Sequence, residues 1–182
     1  GGATGILKIV AGKVIQAAVQ ATDYIAALVD DTTPDLGGDL QVHQRRIIFE
    51  RPSADDSYSG LSVTGTAGEA LAWGNPIFFN SYDGRYWKAD ADTASTMPAI
   101  AIGLASVVAG NAGTFLTEGY MMDTTWNWTT ATSVRSVYAA DGASGVISQN
   151  APQDTGDQIQ PIGWIIDADT LYFKPDLTVV ER

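Results

Sequence analysis

Ile77-Phe78-Phe79-Asn80-Ser81-Tyr82-Asp83-Gly84-Arg85-Tyr86-Trp87-Lys88 is the stretch that sets the fold class. Two short runs rich in aromatic residues flank Asp83-Gly84, and an Asp-Gly pair supplies the backbone freedom that a tight hairpin turn requires. The stretch therefore reads as strand, turn, strand. Upstream, Leu61-Ser62-Val63-Thr64 alternates, Gly65-Thr66-Ala67-Gly68 reads as a turn, and Leu71-Ala72-Trp73 reads as a strand ending at Gly74-Asn75-Pro76. Downstream come Ala99 to Ala105, Gly113 to Thr117 and Ile162 to Ile166, with a last strand expected over Thr170 to Lys174 and closed by Pro175. No long run keeps a helical period. From about residue 61 onward the chain is expected to be all-β.

Two segments echo one another. Met97-Pro98-Ala99-Ile100-Ala101-Ile102-Gly103 and Gln160-Pro161-Ile162-Gly163-Trp164 both place proline ahead of an apolar strand that contains glycine. Such a glycine marks a bulge or the close approach of another backbone, so the two are expected to pair or to occupy equivalent places in a barrel.

Composition narrows the function. The 182 residues suit one domain plus a small appendage, and 19 glycines with seven prolines suit many short strands joined by turns. A net charge of −11 opposes binding to nucleic acid or to an anionic membrane surface. With no cysteine and a single histidine, His43, thiolate sites, zinc sites and a Ser-His-Asp arrangement have no support in the sequence. No apolar run approaches the ~20 residues of a membrane-spanning helix. The chain begins with Gly1-Gly2 rather than Met, which fits a processed product or a fragment.

The N-terminal third differs from the rest. Residues 1–29 are rich in Ala, Val, Ile and Gly, and the spacing from Ala17 to Val29 alone is compatible with a short helix. Asp30-Asp31-Thr32-Thr33-Pro34-Asp35-Leu36-Gly37-Gly38-Asp39-Leu40 follows, running on to Ile47-Ile48-Phe49. Pro52-Ser53-Ala54-Asp55-Asp56-Ser57-Tyr58-Ser59-Gly60 is polar and reads as the hinge before the β domain. The run from Asp30 to Phe49 resembles the TPxLGGDLxxNGxxI segment of tail-fibre and other virion structural proteins of tailed bacteriophages. Gly5-Ile6-Leu7-Lys8-Ile9-Val10 through Ala21-Thr22-Asp23-Tyr24 is similar to the linker modules of such fibres. More loosely, the series from Ala89 to Ala105, Gly113 to Asp123 and Gln158 to Ile166 is similar to a β module of phage structural proteins.

That resemblance implies a virion protein: an extended N-terminal anchoring and trimerisation segment over 1–59, then a C-terminal antiparallel β-sandwich or barrel-like domain over 60–182, intertwined as a homotrimer. Its partners would be other virion proteins and a host surface glycan or protein. The expected role is attachment to the host as a fibre or adhesin-like appendage. Capsid decoration that braces the head is the alternative. No catalytic role, cofactor or metal is assigned. Asp90-Ala91-Asp92 and Asp167-Ala168-Asp169 offer the oxygen ligands calcium prefers, but solvated turns between strands are the favoured reading.

Aromatic residues are the candidate receptor- or glycan-binding groups. Trp126 and Trp128 stand two apart, which on a strand places both on one face, with Asn127 and Asp123 nearby for hydroxyl contacts. Tyr82, Tyr86 and Trp87 surround the Asp83-Gly84 turn, where an exposed tip would meet a receptor. The competing reading puts both groups in a β core or a subunit interface, where such residues are also enriched.

Overall fold

The computed structural model describes residues 47–130 and 135–182, together with two short N-terminal strands. Two units divide between Ile47 and Ile48. In the first, β1 (Ile9–Val10) and β2 (Lys13–Val14) pair antiparallel, with Ile9 opposite Val14 and Val10 opposite Lys13. The helix spacing over Ala17 to Val29, His43 and the phage-like run up to Arg46 lie outside the described residues.

The second unit is almost wholly β, a curled antiparallel sheet that forms a half-barrel. Its strands are β3 (Ser57–Thr66), β4 (Pro76–Asn80), β5 (Arg85–Lys88), β6 (Ala101–Gly103), β7 (Ala112–Met122), β8 (Ser136–Ala139), β9 (Ile147–Ser148), β10 (Gln158–Ile159), β11 (Pro161–Ile165), β12 (Thr170–Phe173) and β13 (Val180–Glu181). The main sheet runs β5-β4-β6-β7-β12-β11-β8-β9, with β3 on the other edge of β7, while β10 and β13 form a separate pair. Among the described residues no helix is long and apolar enough to cross a membrane.

β7 organises this unit. One of its edges is paired with β3, from Ser57 opposite Met122 to Thr66 opposite Ala112. Its other edge is divided: Phe115 and Leu116 pair with β6, and Gly119 to Met122 pair with β12. Adjacent residues on a strand point to opposite faces. Phe115 enters a smaller core with Leu71, Ile77 and Ala101, while Leu116 enters a larger one with Met121, Ile162 and Phe173. Both side chains are fully buried, each worth about 2–3 kcal/mol relative to exposure. Gly113-Thr114-Phe115-Leu116-Thr117 therefore shows no simple alternation, because the strand is covered on both faces there.

The smaller core is ringed. β3, β7, β6, β4 and β5 are joined in turn, and the Ala67–Tyr86 bridge returns the chain from β3 to β5, with the Gly68 N–H donating to the Tyr86 carbonyl at 2.7 Å. The run Gly65-Thr66-Ala67-Gly68 is thus the end of a strand and a ring closure, where the sequence suggested a turn. Leu71-Ala72-Trp73 is reduced to a single bridge between Leu71 and Val107. Four residues of the expected hinge, Ser57 to Gly60, belong to β3. Nor is the Thr170 strand the last, since β13 follows it and pairs with β10.

Glycines mark close backbone approaches in both echoing segments. A methyl group on Gly103 would lie 2.2 Å from the Ala72 carbonyl oxygen, and one on Gly163 2.4 Å from that of Tyr172. The two segments do not share a strand ladder. They are joined instead through the fully buried Gln160 side chain, whose Oε1 accepts from the Ala99 N–H at 2.8 Å and whose Nε2 donates to the Ala99 carbonyl at 2.9 Å.

Candidate functional site

The β4–β5 hairpin is held by its own turn chemistry. Asn80 and Arg85 face each other across it, the Gly84 N–H donates to the Asn80 carbonyl at 2.9 Å, and the Tyr82 N–H donates to Asn80 Oδ1 at 2.9 Å. Asp83 adds two more bonds, accepting the Arg85 N–H at 3.1 Å and the Trp87 indole N–H at 3.1 Å. These bonds fix the tip with the Tyr82 side chain in none of them, and that ring is 99% exposed. Tyr86 turns inward, edge-on to Phe79 at 5.2 Å and tilted on Phe115 at 4.9 Å. Trp87 is half-buried against Gly68, where an added methyl would overlap its ring. Of the three tip aromatics, Tyr82 alone is presented freely to solvent.

Trp126 and Trp128 do come together, with ring centroids 5.5 Å apart and tilted by 49°. A turn brings them there, because Asn127 has a φ of +50° and neither Trp lies on a strand. Both are half-buried and pack with Trp73 against the larger core. The Trp128 indole N–H is buried without a hydrogen-bond partner among the described residues. Thus the five candidate residues form two groups: the tip trio beside the smaller core and the Trp pair beside the larger.

A third aromatic group went unread in the sequence. Tyr120 on β7, Tyr172 on β12 and Trp164 on β11 are directly opposite one another across three strands, flanked by Ser59 on β3 and Ser136 on β8. Tyr120 and Tyr172 meet edge to face at 4.7 Å, and Trp164 stacks on Tyr172 at 4.6 Å. Glu118 and Lys174 extend this face by one row. Glu118 Oε1 accepts from Lys174 Nζ at 2.9 Å and from the Tyr172 hydroxyl at 3.0 Å. Each of the three aromatic residues was visible in the sequence; the register that aligns them was not.

The Lys174 hydrogen bond, aided by Tyr172 and opposed by partial burial, holds the Glu118 carboxyl below the ordinary glutamate range. Burial, followed by the neighbouring Glu118, pushes the Tyr172 hydroxyl up. A carboxyl whose pKa falls on folding contributes stability above its unfolded pKa and loses it as pH drops through the folded value. Glu118→Gln should therefore make the acid-side loss of stability less steep, read as urea midpoints from neutral pH down to about pH 3. An unchanged acid limb would remove Glu118 from the account.

The acidic residues mostly serve turns. Asp90 Oδ1 accepts the Asp92 N–H at 3.1 Å, Asp167 Oδ1 accepts the Asp169 N–H at 3.0 Å, and Asp167 also pairs with Arg51. A different trio, Asp55, Asp56 and Asp123, brings carboxylate oxygens within 4.8 Å of one another. These are the ligand type and spacing a hard divalent cation takes. Two of the three are already engaged as acceptors, Asp55 from the Thr124 N–H at 2.7 Å and Asp123 from the Thr125 N–H at 2.8 Å. The Thr124 bond lowers the Asp55 pKa, whereas desolvation and then the Asp55 and Asp123 charges raise that of Asp56. No protein-family model, curated protein or solved structure gives a significant match to this chain.

Proposed function

We propose that this chain is a structural protein of a tailed-bacteriophage virion, a trimeric fibre or adhesin-like appendage that attaches to the host cell surface. The resemblance of the run from Asp30 to Phe49 to fibre segments supports the virion assignment. The observation that carries attachment is Tyr82, fully exposed on a turn fixed by the Asn80 and Asp83 hydrogen bonds. An outward aromatic on a fixed turn gives large contact area while only its two side-chain torsions remain to be ordered on binding. Three copies on one trimer would convert weak single contacts into useful avidity.

Tyr82→Ala is expected to leave stability within about 0.5 kcal/mol, since the side chain contributes to no fold contact. Binding of the fluorescently labelled protein to host cells should fall by about tenfold or more. Undiminished binding would overturn the role of the tip.

One observation favours capsid decoration. Ile48, the first residue of the β unit, is 63% exposed, an apolar side chain left for another surface to cover. On that reading, particles lacking the chain should release their genome at lower temperature than complete ones. The attachment reading expects equal thermal release.

A further inference from the structure

We infer that the Trp164 face of the sheet is a binding site for a neutral pyranose sugar, separate from the Tyr82 tip. Tyr172 covers one face of the indole, stacked at 4.6 Å with the rings 28° from parallel. On the side of Trp164 away from Tyr172, its cross-strand partner on β8 is Ser136. A serine is too short to cover an indole, and Trp164 is 43% exposed. β9 pairs with β8 only at Tyr138 and Ala139, so among the described residues no strand continues the row beyond Ser136. Among the described residues the result is a shelf with an aromatic wall, a hydroxyl on its floor and an outer side that no strand covers.

That shape suits the apolar C–H face of a pyranose ring. Its C–H groups are weakly positive, the indole face is negative, and burying both removes apolar surface from water. The chain's net charge of −11 sets up a field that opposes acidic sugars, and Lys174, one row along this face, is neutralised by Glu118 at 2.9 Å. Arg135, next to Ser136, is a second cation beside the row, and its Nη1 donates to the Ile166 carbonyl at 3.2 Å. Glu118 and Lys174, one row along the face, remain available to hydrogen-bond hydroxyls of a second sugar unit.

The test is an NMR titration of the full chain, observing the tryptophan indole N–H signals, with maltotetraose, cellotetraose and mannotetraose as probes. The expected result is a saturable shift of the Trp164 signal with at least one probe, while the Trp126 and Trp128 signals stay fixed. Trp164→Ala should weaken binding by about tenfold or more. Ser136→Leu should do the same while leaving the Trp164 signal in place, because it fills the shelf and keeps the indole. No saturable shift with any probe would overturn the site. So would a change in sedimentation mass in either variant, which would make this face a contact between copies of the chain.

Discussion

Replacing Gly119 by alanine is expected to lower the stability of the β unit by about 3 kcal/mol, more than a typical single substitution. Gly119 lies directly opposite Gly60 in the β3–β7 ladder. A methyl group on Gly119 would stand 2.2 Å from the Ser59 carbonyl oxygen and 2.6 Å from the Gly60 Cα. Both obstacles are backbone, so no rotamer change relieves the overlap, and the φ of +150° at Gly119 is itself one that alanine resists. One residue away the register shifts: Leu61 pairs with Glu118 but Ser62 pairs with Leu116, leaving Thr117 unpaired. This bulge bends the ladder. The glycine pair sits beside it and lets the strands approach at the bend, where β7 passes from β6 to β12. The urea midpoint should fall by about 1–2 M. Gly142→Ala is the control, since its φ is +70° but nothing lies within 4 Å of the added methyl. It should cost only the intrinsic penalty of a left-handed residue, about 1 kcal/mol. Equal losses in the two variants would show that neither the close crossing nor the +150° backbone of Gly119 adds to the ordinary left-handed penalty.

Gln160→Leu should cost about as much, roughly 3 kcal/mol, by a different cause. The Gln160 amide is fully buried and satisfies three backbone groups: the Ala99 N–H at 2.8 Å, the Ala99 carbonyl at 2.9 Å and the Asp176 carbonyl at 2.7 Å. Leucine fills similar space but leaves these groups unpaired away from water, and each lost partner carries a desolvation penalty. Gln160→Glu separates hydrogen bonding from shape. Ionised, the new carboxylate would face two carbonyl oxygens, so burial and repulsion raise its folded pKa above the unfolded one. Its penalty is then greatest above the folded pKa and shrinks as pH falls toward the unfolded value. Relative to the parent chain, Gln160→Glu should be worse than Gln160→Leu at neutral pH and recover in acid. Urea midpoints at neutral and acidic pH check this, and a pH-independent difference would contradict it.

These two sites also mark how far the sequence could be read. The Asp83-Gly84 hairpin was legible because a two-residue signal and its flanking strands are local. The glycines of the echoing segments were legible as places of close approach, since absence of a side chain in an apolar strand has few other uses. That Gln160 would join the two segments was not, because the bond spans 61 positions in sequence. The aromatic row failed for the same reason: Tyr120, Trp164 and Tyr172 meet only through register. Trp126 and Trp128 were read with a strand period, but the positive φ at Asn127 makes their segment a turn. β8 and β9 escaped notice because Ser136-Val137-Tyr138-Ala139 and Ile147-Ser148 are too short for periodicity to declare. Asp55, Asp56 and Asp123 carried no local signal at all, since the fold alone brings them together.

The most direct test of the attachment account is immunogold electron microscopy of intact virions with an antibody to this chain. The account predicts gold on the tail appendages, with the epitopes of the β unit at the outer end. Gold spread evenly over the head, or absent from the particles, would contradict it.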